Sequence, residues 1–107
     1  MKIVVVATHN ERFFDSFMDS CRKQNIKPII LGWGQKYSGH LMKDDLLEKY
    51  LKNNLKDDEV ILFCDAFDCL ILRSVKELEQ EFINSRKNLI ISTEKSDNKV
   101  YNYFKNL

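Results

Sequence analysis

The sequence has few of the features that mark several large classes of protein. Positive and negative side chains nearly cancel, giving a formal net charge of +1 over 107 residues. No electrostatic argument therefore favours a nucleic acid or an anionic membrane as partner. The apolar runs are too short to cross a bilayer, and the apolar start Met1–Ala7 is too short for a signal peptide. We expect no nucleic-acid partner and no membrane association.

Cysteine is also scarce, and its placement excludes two further classes. The three cysteines, Cys21, Cys64 and Cys69, are odd in number and lack the Cys-x-x-Cys spacing. This pattern is typical of buried or free thiols rather than of a disulfide framework or a zinc site. No signal peptide is visible either, so we expect the cytoplasm or another reducing compartment. With 44% apolar and 31% charged residues, the chain has the composition of one globular domain, residues 1–107.

What the sequence does contain is an alternation of apolar strands and amphipathic helices. Such alternation predicts an α/β fold, with a mostly parallel sheet and helices on both faces. Pro28 indicates an edge strand or a strand start, Asn10 and Ser74 are possible helix caps, and the segment 96–107 is either a terminal helix or a tail. The predicted strands are Lys2–Ala7, Ile26–Leu31, Val60–Asp65 and Leu89–Ser92, and the predicted helices are Glu11–Gln24, His40–Asn54 and Val75–Ser85.

The most informative segment is the apolar run Val60–Cys64, which leads directly into Asp65 and, three positions later, Asp68. Ligands of α/β sheets bind at the carboxyl ends of the strands. Two carboxylates there can converge on Mg²⁺ or Mn²⁺, which take oxygen ligands and commonly share them with substrate phosphates. The alternative is that the two aspartates only form a polar turn or cap the following helix.

Two other segments should lie near this acidic pair. Right-handed crossovers would bring Thr8-His9, after the first strand, to the same rim as Asp65 and Asp68. All three glycines fall within residues 32–39, so this segment is the one most able to approach a ligand closely, and Trp33 lies within it. It is neither a Walker loop nor Gly-x-Gly-x-x-Gly, and a plain connection with Trp33 covering the core is an equal alternative.

The chain resembles the N-terminal half of the glycosyltransferase domain of procollagen lysyl hydroxylases and related GT-A-type enzymes, over about residues 2–94. The shared motifs are Val4–Asn10, Leu31–Gly34, Gly39–Lys43, Ile61–Asp68 and Leu89–Glu94. The resemblance implies a Rossmann-like nucleotide-binding half-fold. It also implies a UDP-hexose donor, Mn²⁺ (or Mg²⁺) as cofactor and a hydroxylysine-type protein acceptor.

The resemblance also implies roles for particular residues. Ala7 and Thr8 would contact the uracil or ribose, Asp65 would lie near the ribose and the metal, and Asp68 would ligate the metal. Lys43 would meet phosphate or sugar, with Lys36 as the rival. Trp33 is included among the nucleotide-sugar-binding residues.

Part of the family pattern is missing. The acceptor contacts and a late metal-binding histidine would lie beyond Leu107, and neither His9 nor His40 occupies that histidine's place. The catalytic residues and the sugar are therefore not identified. We expect a metal-dependent glycosyltransferase or its nucleotide-sugar-binding half. The alternatives are a non-catalytic nucleotide-binding module, with an exposed edge that could form a homodimer, and, less favoured, another metal-dependent α/β enzyme such as a phosphatase.

Overall fold

A computed structural model describes residues 1–54, 56 and 58–92, and in this part of the chain three parallel strands alternate with three helices. The strands form one sheet in the order β2-β1-β3, which confirms the predicted α/β class. The elements, in chain order, are β1 (Lys2–Val6), α1 (Phe14–Lys23), β2 (Ile29–Leu31), α2 (His40–Asn54), β3 (Ile61–Phe63) and α3 (Val75–Ser85).

The core is built around the central strand β1. Val4 pairs with Ile29 of β2 on one side and with Phe63 of β3 on the other. Successive side chains of β1 point to opposite faces of the sheet. Ile3 and Val5 belong to the buried cluster that includes Phe17 and Cys21 of α1, and α2 also contacts β1. The continuous apolar run of this strand is explained by burial on both faces.

Two helices have the predicted bounds because local signals define their ends. α2 begins at His40, immediately after Gly39, whose φ of +115° suits glycine. α3 begins after Ser74, whose hydroxyl accepts a hydrogen bond from the backbone N–H of Glu77, as the capping prediction requires. Its C-terminal cap, Arg86, adopts the left-handed conformation with a φ of 57°.

The predicted start of α1 is wrong. The helix begins at Phe14 rather than Glu11, and Asn10 does not cap it, since the Asn10 amide donates to Asp15 at 2.8 Å. The reason lies in Arg12, whose positive φ of 47° cannot continue a right-handed helix. The end of α1 is close to the prediction, and Asn25, with a φ of 57°, follows it.

The strands are shorter than predicted. β2 starts at Ile29, directly after Pro28, because proline has no N–H to donate. Among the strands that the structure describes, β2 lies at an edge of the sheet, as Pro28 indicated. Hydrogen bonds extend the ladder beyond the strand ends. Ala7 N donates to Leu31 O at 3.1 Å, and Cys64 N donates to Val4 O at 3.3 Å.

The fourth predicted strand, Leu89–Ser92, is not formed. Leu89 is 73% exposed and its apolar neighbours are also exposed, so this run lies outside the core. An apolar run makes a strand only where the backbone finds a pairing partner, which short-range sequence cannot show. The segment 96–107 lies outside the described residues. None of the described helices has both the length and the apolar character needed to cross a bilayer.

Candidate functional site

A polar cleft of about 400 Å³ lies at the carboxyl ends of β1 and β3. The chain leaves β1 toward β2, on the side away from β3, so the strand order reverses between β1 and β3. Ligand sites of open α/β sheets lie at such switch points. The cleft is lined by Val6, Ala7, Thr8, His9, Glu11, Arg12, Tyr37, His40, Lys43, Asp65, Phe67 and Asp68.

Both aspartates of the acidic pair line this cleft. Asp65 Oδ1 accepts a hydrogen bond from the backbone N–H of Phe67 at 2.8 Å, and the Asp65 carbonyl accepts one from Cys69 N at 3.1 Å. Asp65 therefore organises a tight turn, which is the polar-turn interpretation of the acidic pair. The same turn leaves Asp68 exposed at the cleft. The turn and a ligand site are compatible, because only one oxygen of Asp65 is used by the backbone.

Lys43 supplies the positive charge that faces the acidic turn. It lies in the first turn of α2, and its Nζ is 3.9 Å from Asp65 Oδ2. The two side chains are 24% and 38% exposed, so the pair is partly screened by solvent and contributes little to stability. Lys36, the rival lysine, is exposed and does not line the cleft. The structure thus places Lys43, and not Lys36, beside the acidic pair.

The loop after β1 also lines the cleft. Ala7 and Thr8 are buried, and the Thr8 carbonyl accepts a hydrogen bond from Gly34 N at 2.8 Å. Thr8 Oγ1 lies 2.8 Å from His9 Nδ1, and His9 Nε2 lies 3.0 Å from Glu11 Oε2. The Thr8 hydroxyl is therefore held in a chain of side-chain hydrogen bonds at the edge of the cleft.

The glycine-rich segment approaches protein atoms closely at Gly32. An added Cβ there would lie 2.9 Å from Leu46 Cδ1 and 3.9 Å from Thr8 Cγ2, so Gly32 lets α2 pack against the end of β1. Trp33 does not line the cleft. The Trp33 indole stacks on Phe14 with ring centroids 5.3 Å apart, in agreement with the alternative that Trp33 covers the core. A contact between Trp33 and a nucleotide sugar stays a prediction.

Several residues that sequence reasoning did not assign to the site also line the cleft, among them Arg12, Tyr37 and His40. Arg12 brings a second cation, held in the left-handed backbone conformation that non-glycine residues rarely adopt. Its neighbours Glu11 and Phe13 give no local sign of this turn. Tyr37 and His40 reach the cleft only because α2 packs across the sheet, so no short-range pattern reveals them.

The oxygen donors of the cleft fit part of the coordination shell of a hard cation. Within the described ranges, no group of three or more histidine, cysteine, aspartate or glutamate side chains gathers as a metal site. Asp65 and Asp68 nevertheless offer carboxylate oxygens, the ligands that Mg²⁺ and Mn²⁺ prefer. Such ions commonly retain waters and take further oxygens from substrate phosphates. The donor set fits a shared metal–phosphate site rather than a closed protein cage.

The cysteines belong to the core rather than to the cleft chemistry. All three are free, as predicted. Burial raises the pKa of the Cys21 thiol, and burial, with Cys69 as a secondary cause, raises the pKa of Cys64 to about 12. Both groups stay protonated and unreactive near neutral pH.

The parallel sheet, with its polar cleft at the switch point, defines a Rossmann-like α/β domain of the kind found in glycosyltransferases. Comparison with known families identifies which family within this class the chain belongs to. The model of the family described as "PLOD GT domain" matches residues 1–101, and the chain belongs to this family. The resemblance to the glycosyltransferase domain of procollagen lysyl hydroxylases is confirmed.

Relatives with curated descriptions agree. The chain is 31% identical over 99 residues to procollagen-lysine,2-oxoglutarate 5-dioxygenase 1 of Bos taurus. It is 32% identical over 100 residues to the protein of the same name in Homo sapiens. Each match covers 86% of this chain and 14% of the relative's length.

Proposed function

We propose that the cleft binds the nucleotide diphosphate of a UDP-hexose together with Mn²⁺ or Mg²⁺, so that the domain provides the donor-binding part of a glycosyltransferase. The single observation that carries this proposal is the meeting of Asp65, Asp68 and Lys43 in one cleft, at the switch point of a domain that belongs to a glycosyltransferase family.

Each wall of the cleft has a task in this proposal. Asp68 and Asp65 Oδ2 would hold the cation, and Lys43, whose Nζ lies 3.9 Å from Asp65 Oδ2, would face the diphosphate from the first turn of α2. The loop of Ala7 and Thr8 would contact the uridine. When bound, the cation supplies positive charge that stabilises the diphosphate leaving group. Lys43 would add a second cation on the same anion, in a cleft that is partly shielded from water.

The acceptor is a further part of the proposal. The names of the relatives refer to procollagen-lysine, and a hydroxylysine-type protein acceptor agrees with that substrate. The described residues offer no group that we assign as a catalytic base. The proposal therefore concerns donor binding by this chain, and sugar transfer would require further acceptor-binding residues.

Calorimetric titration of UDP tests the proposal directly. We expect UDP to bind in the presence of Mn²⁺ and to lose most of its affinity when EDTA removes the metal. Asp68→Asn should abolish the metal-dependent binding, because the amide has no charge to hold the cation. Asp44→Asn is the matched control, since Asp44 is an exposed acid of α2 that does not line the cleft. Equal UDP binding with and without metal, or none, would overturn the proposal.

A second candidate, a self-associating module, is favoured by one observation. β3 pairs only with β1 among the described strands, and Phe63 of β3 is 38% exposed. A free edge can pair with another chain. The candidate predicts a dimer by light scattering, and a monodisperse monomer at high concentration would contradict it.

A further inference from the structure

A hydroxyl, an imidazole and a carboxylate form a continuous chain along one wall of the cleft. The Thr8 hydroxyl lies 2.8 Å from His9 Nδ1, and His9 Nε2 lies 3.0 Å from Glu11 Oε2. All three residues line the cleft. The proposed function uses only Thr8, so the purpose of the other two groups is open.

When the His9 imidazole is neutral, the carboxylate fixes the direction of both hydrogen bonds in this chain. An ionised carboxylate only accepts hydrogen bonds, so His9 Nε2 must carry the proton that is donated to Glu11. In the neutral imidazole, Nδ1 then has no proton and is an acceptor. The Thr8 hydroxyl must therefore donate its only proton to Nδ1. Its remaining lone pairs can accept a hydrogen bond from a ligand, but the hydroxyl has no proton left to donate.

The packing around Thr8 holds the hydroxyl in this role. Thr8 is 6% exposed, and its carbonyl accepts the Gly34 N–H. Its methyl group faces Gly32, where an added Cβ would lie 3.9 Å from Cγ2. The His9 ring packs near Phe67, with centroids 6.5 Å apart. Rotation of the Thr8 side chain would move the hydroxyl away from His9 Nδ1 and the methyl group away from Gly32.

We propose that His9 and Glu11 are positioning residues that make Thr8 an obligate acceptor and thereby select uracil over cytosine. The inference rests on the proposed function, which places a pyrimidine nucleotide beside Thr8. Uracil carries a proton on N3 and can donate to Thr8 Oγ1. Cytosine has a lone pair on N3, which would face a lone pair of Thr8 Oγ1 and find no hydrogen-bond donor there. An unpaired, desolvated polar group is costly, so one such mismatch discriminates strongly.

The inference is tested by the ratio of UDP affinity to CDP affinity. Both affinities are measured by calorimetry with Mn²⁺ at a pH where the imidazole is neutral. We expect wild-type protein to prefer UDP by about tenfold or more. Glu11→Ala frees the His9 tautomer, and His9→Phe keeps a ring beside Phe67 but removes both nitrogens. In each variant the ratio should fall toward one. Asp44→Asn, at an exposed acid outside the cleft, is the matched control and should keep the preference.

The outcomes separate the inference from the proposed function. Glu11 is an exposed side chain, so Glu11→Ala is expected to fold, and thermal melting checks this. If UDP binds and the ratio is unchanged in Glu11→Ala and His9→Phe, the inference is overturned and the proposed function stands. A wild-type ratio near one also overturns the inference alone. If wild-type protein binds neither nucleotide, the proposed function fails and the inference fails with it.

Discussion

Gly32 lets α2 pack closely against the end of β1 beside the cleft, and its replacement by alanine tests this packing quantitatively. Its φ of +81° is a conformation that alanine adopts at a cost of about 1–2 kcal/mol. Alanine recovers about 0.4–1 kcal/mol by restricting the unfolded chain. A methyl group would also lie 2.9 Å from Leu46 Cδ1, which must move. Overpacking costs about 1–3 kcal/mol, and the low end applies because Cδ1 ends a flexible side chain. Gly32→Ala should therefore lose about 2 kcal/mol.

Gly34 provides the matched control. Its φ of +82° is nearly the same, but an added Cβ there would meet nothing within 4 Å. Gly34→Ala should therefore lose only the conformational part, about 1 kcal/mol or less. Urea denaturation followed by circular dichroism measures both free energies of unfolding. The difference between the two variants isolates the contact with Leu46.

A double-mutant cycle makes this reasoning refutable. Leu46→Val has neither Cδ atom, so in that background Gly32→Ala should lose little more stability than Gly34→Ala does. Equal losses in Gly32→Ala and Gly34→Ala would show that Leu46 does not pack against this turn. An unchanged difference in the Leu46→Val background would lead to the same conclusion.

Other features give smaller tests. Arg86→Gly should raise the free energy of unfolding by about 0.5–1 kcal/mol, because glycine suits the left-handed cap of α3; a loss in urea denaturation would contradict this. Burial raises the pKa of Cys21 above its ordinary value of 9.0. The Cys21 thiol therefore contributes fully to the free energy of unfolding below pH 9, and this contribution is lost as pH rises further, because the unfolded chain ionises first. The stability of Cys21→Ala should then fall less steeply than that of wild type between pH 8 and 10.5, and parallel curves would refute this. Lys43→Met should weaken UDP–Mn²⁺ binding by about tenfold, whereas Lys36→Met should leave it unchanged; calorimetric losses of equal size would refute the assignment of Lys43.

Some of the fold was accessible from the sequence because the signals are local. Gly39 and Ser74 mark the starts of α2 and α3 in a way that short-range patterns capture. The apolar runs before Thr8 and Asp65 indicated buried strands, and parallel pairing then placed the two segments at one rim. These features needed only the backbone preferences of single residues and the handedness of crossovers.

The remaining features depend on contacts that short-range sequence does not record. Arg12 takes a left-handed conformation without being glycine or asparagine, so the delayed start of α1 had no local sign. The run at Leu89 is apolar enough for a strand, yet pairing depends on a partner elsewhere in the chain. Tyr37 and His40 reach the cleft through the packing of α2 across the sheet.

Nuclear magnetic resonance with Mn²⁺ and UDP tests the central claim most directly, because the paramagnetic ion broadens the amide signals around its binding site. The account predicts broadening at Thr8–Glu11 and Asp65–Cys69. Signals near Met1 and Glu79, which form an ion pair at the opposite end of β1, about 20 Å away, should be broadened far less. Broadening centred on the acids Asp15 and Asp19, with the Asp65–Cys69 signals unaffected, would contradict the account.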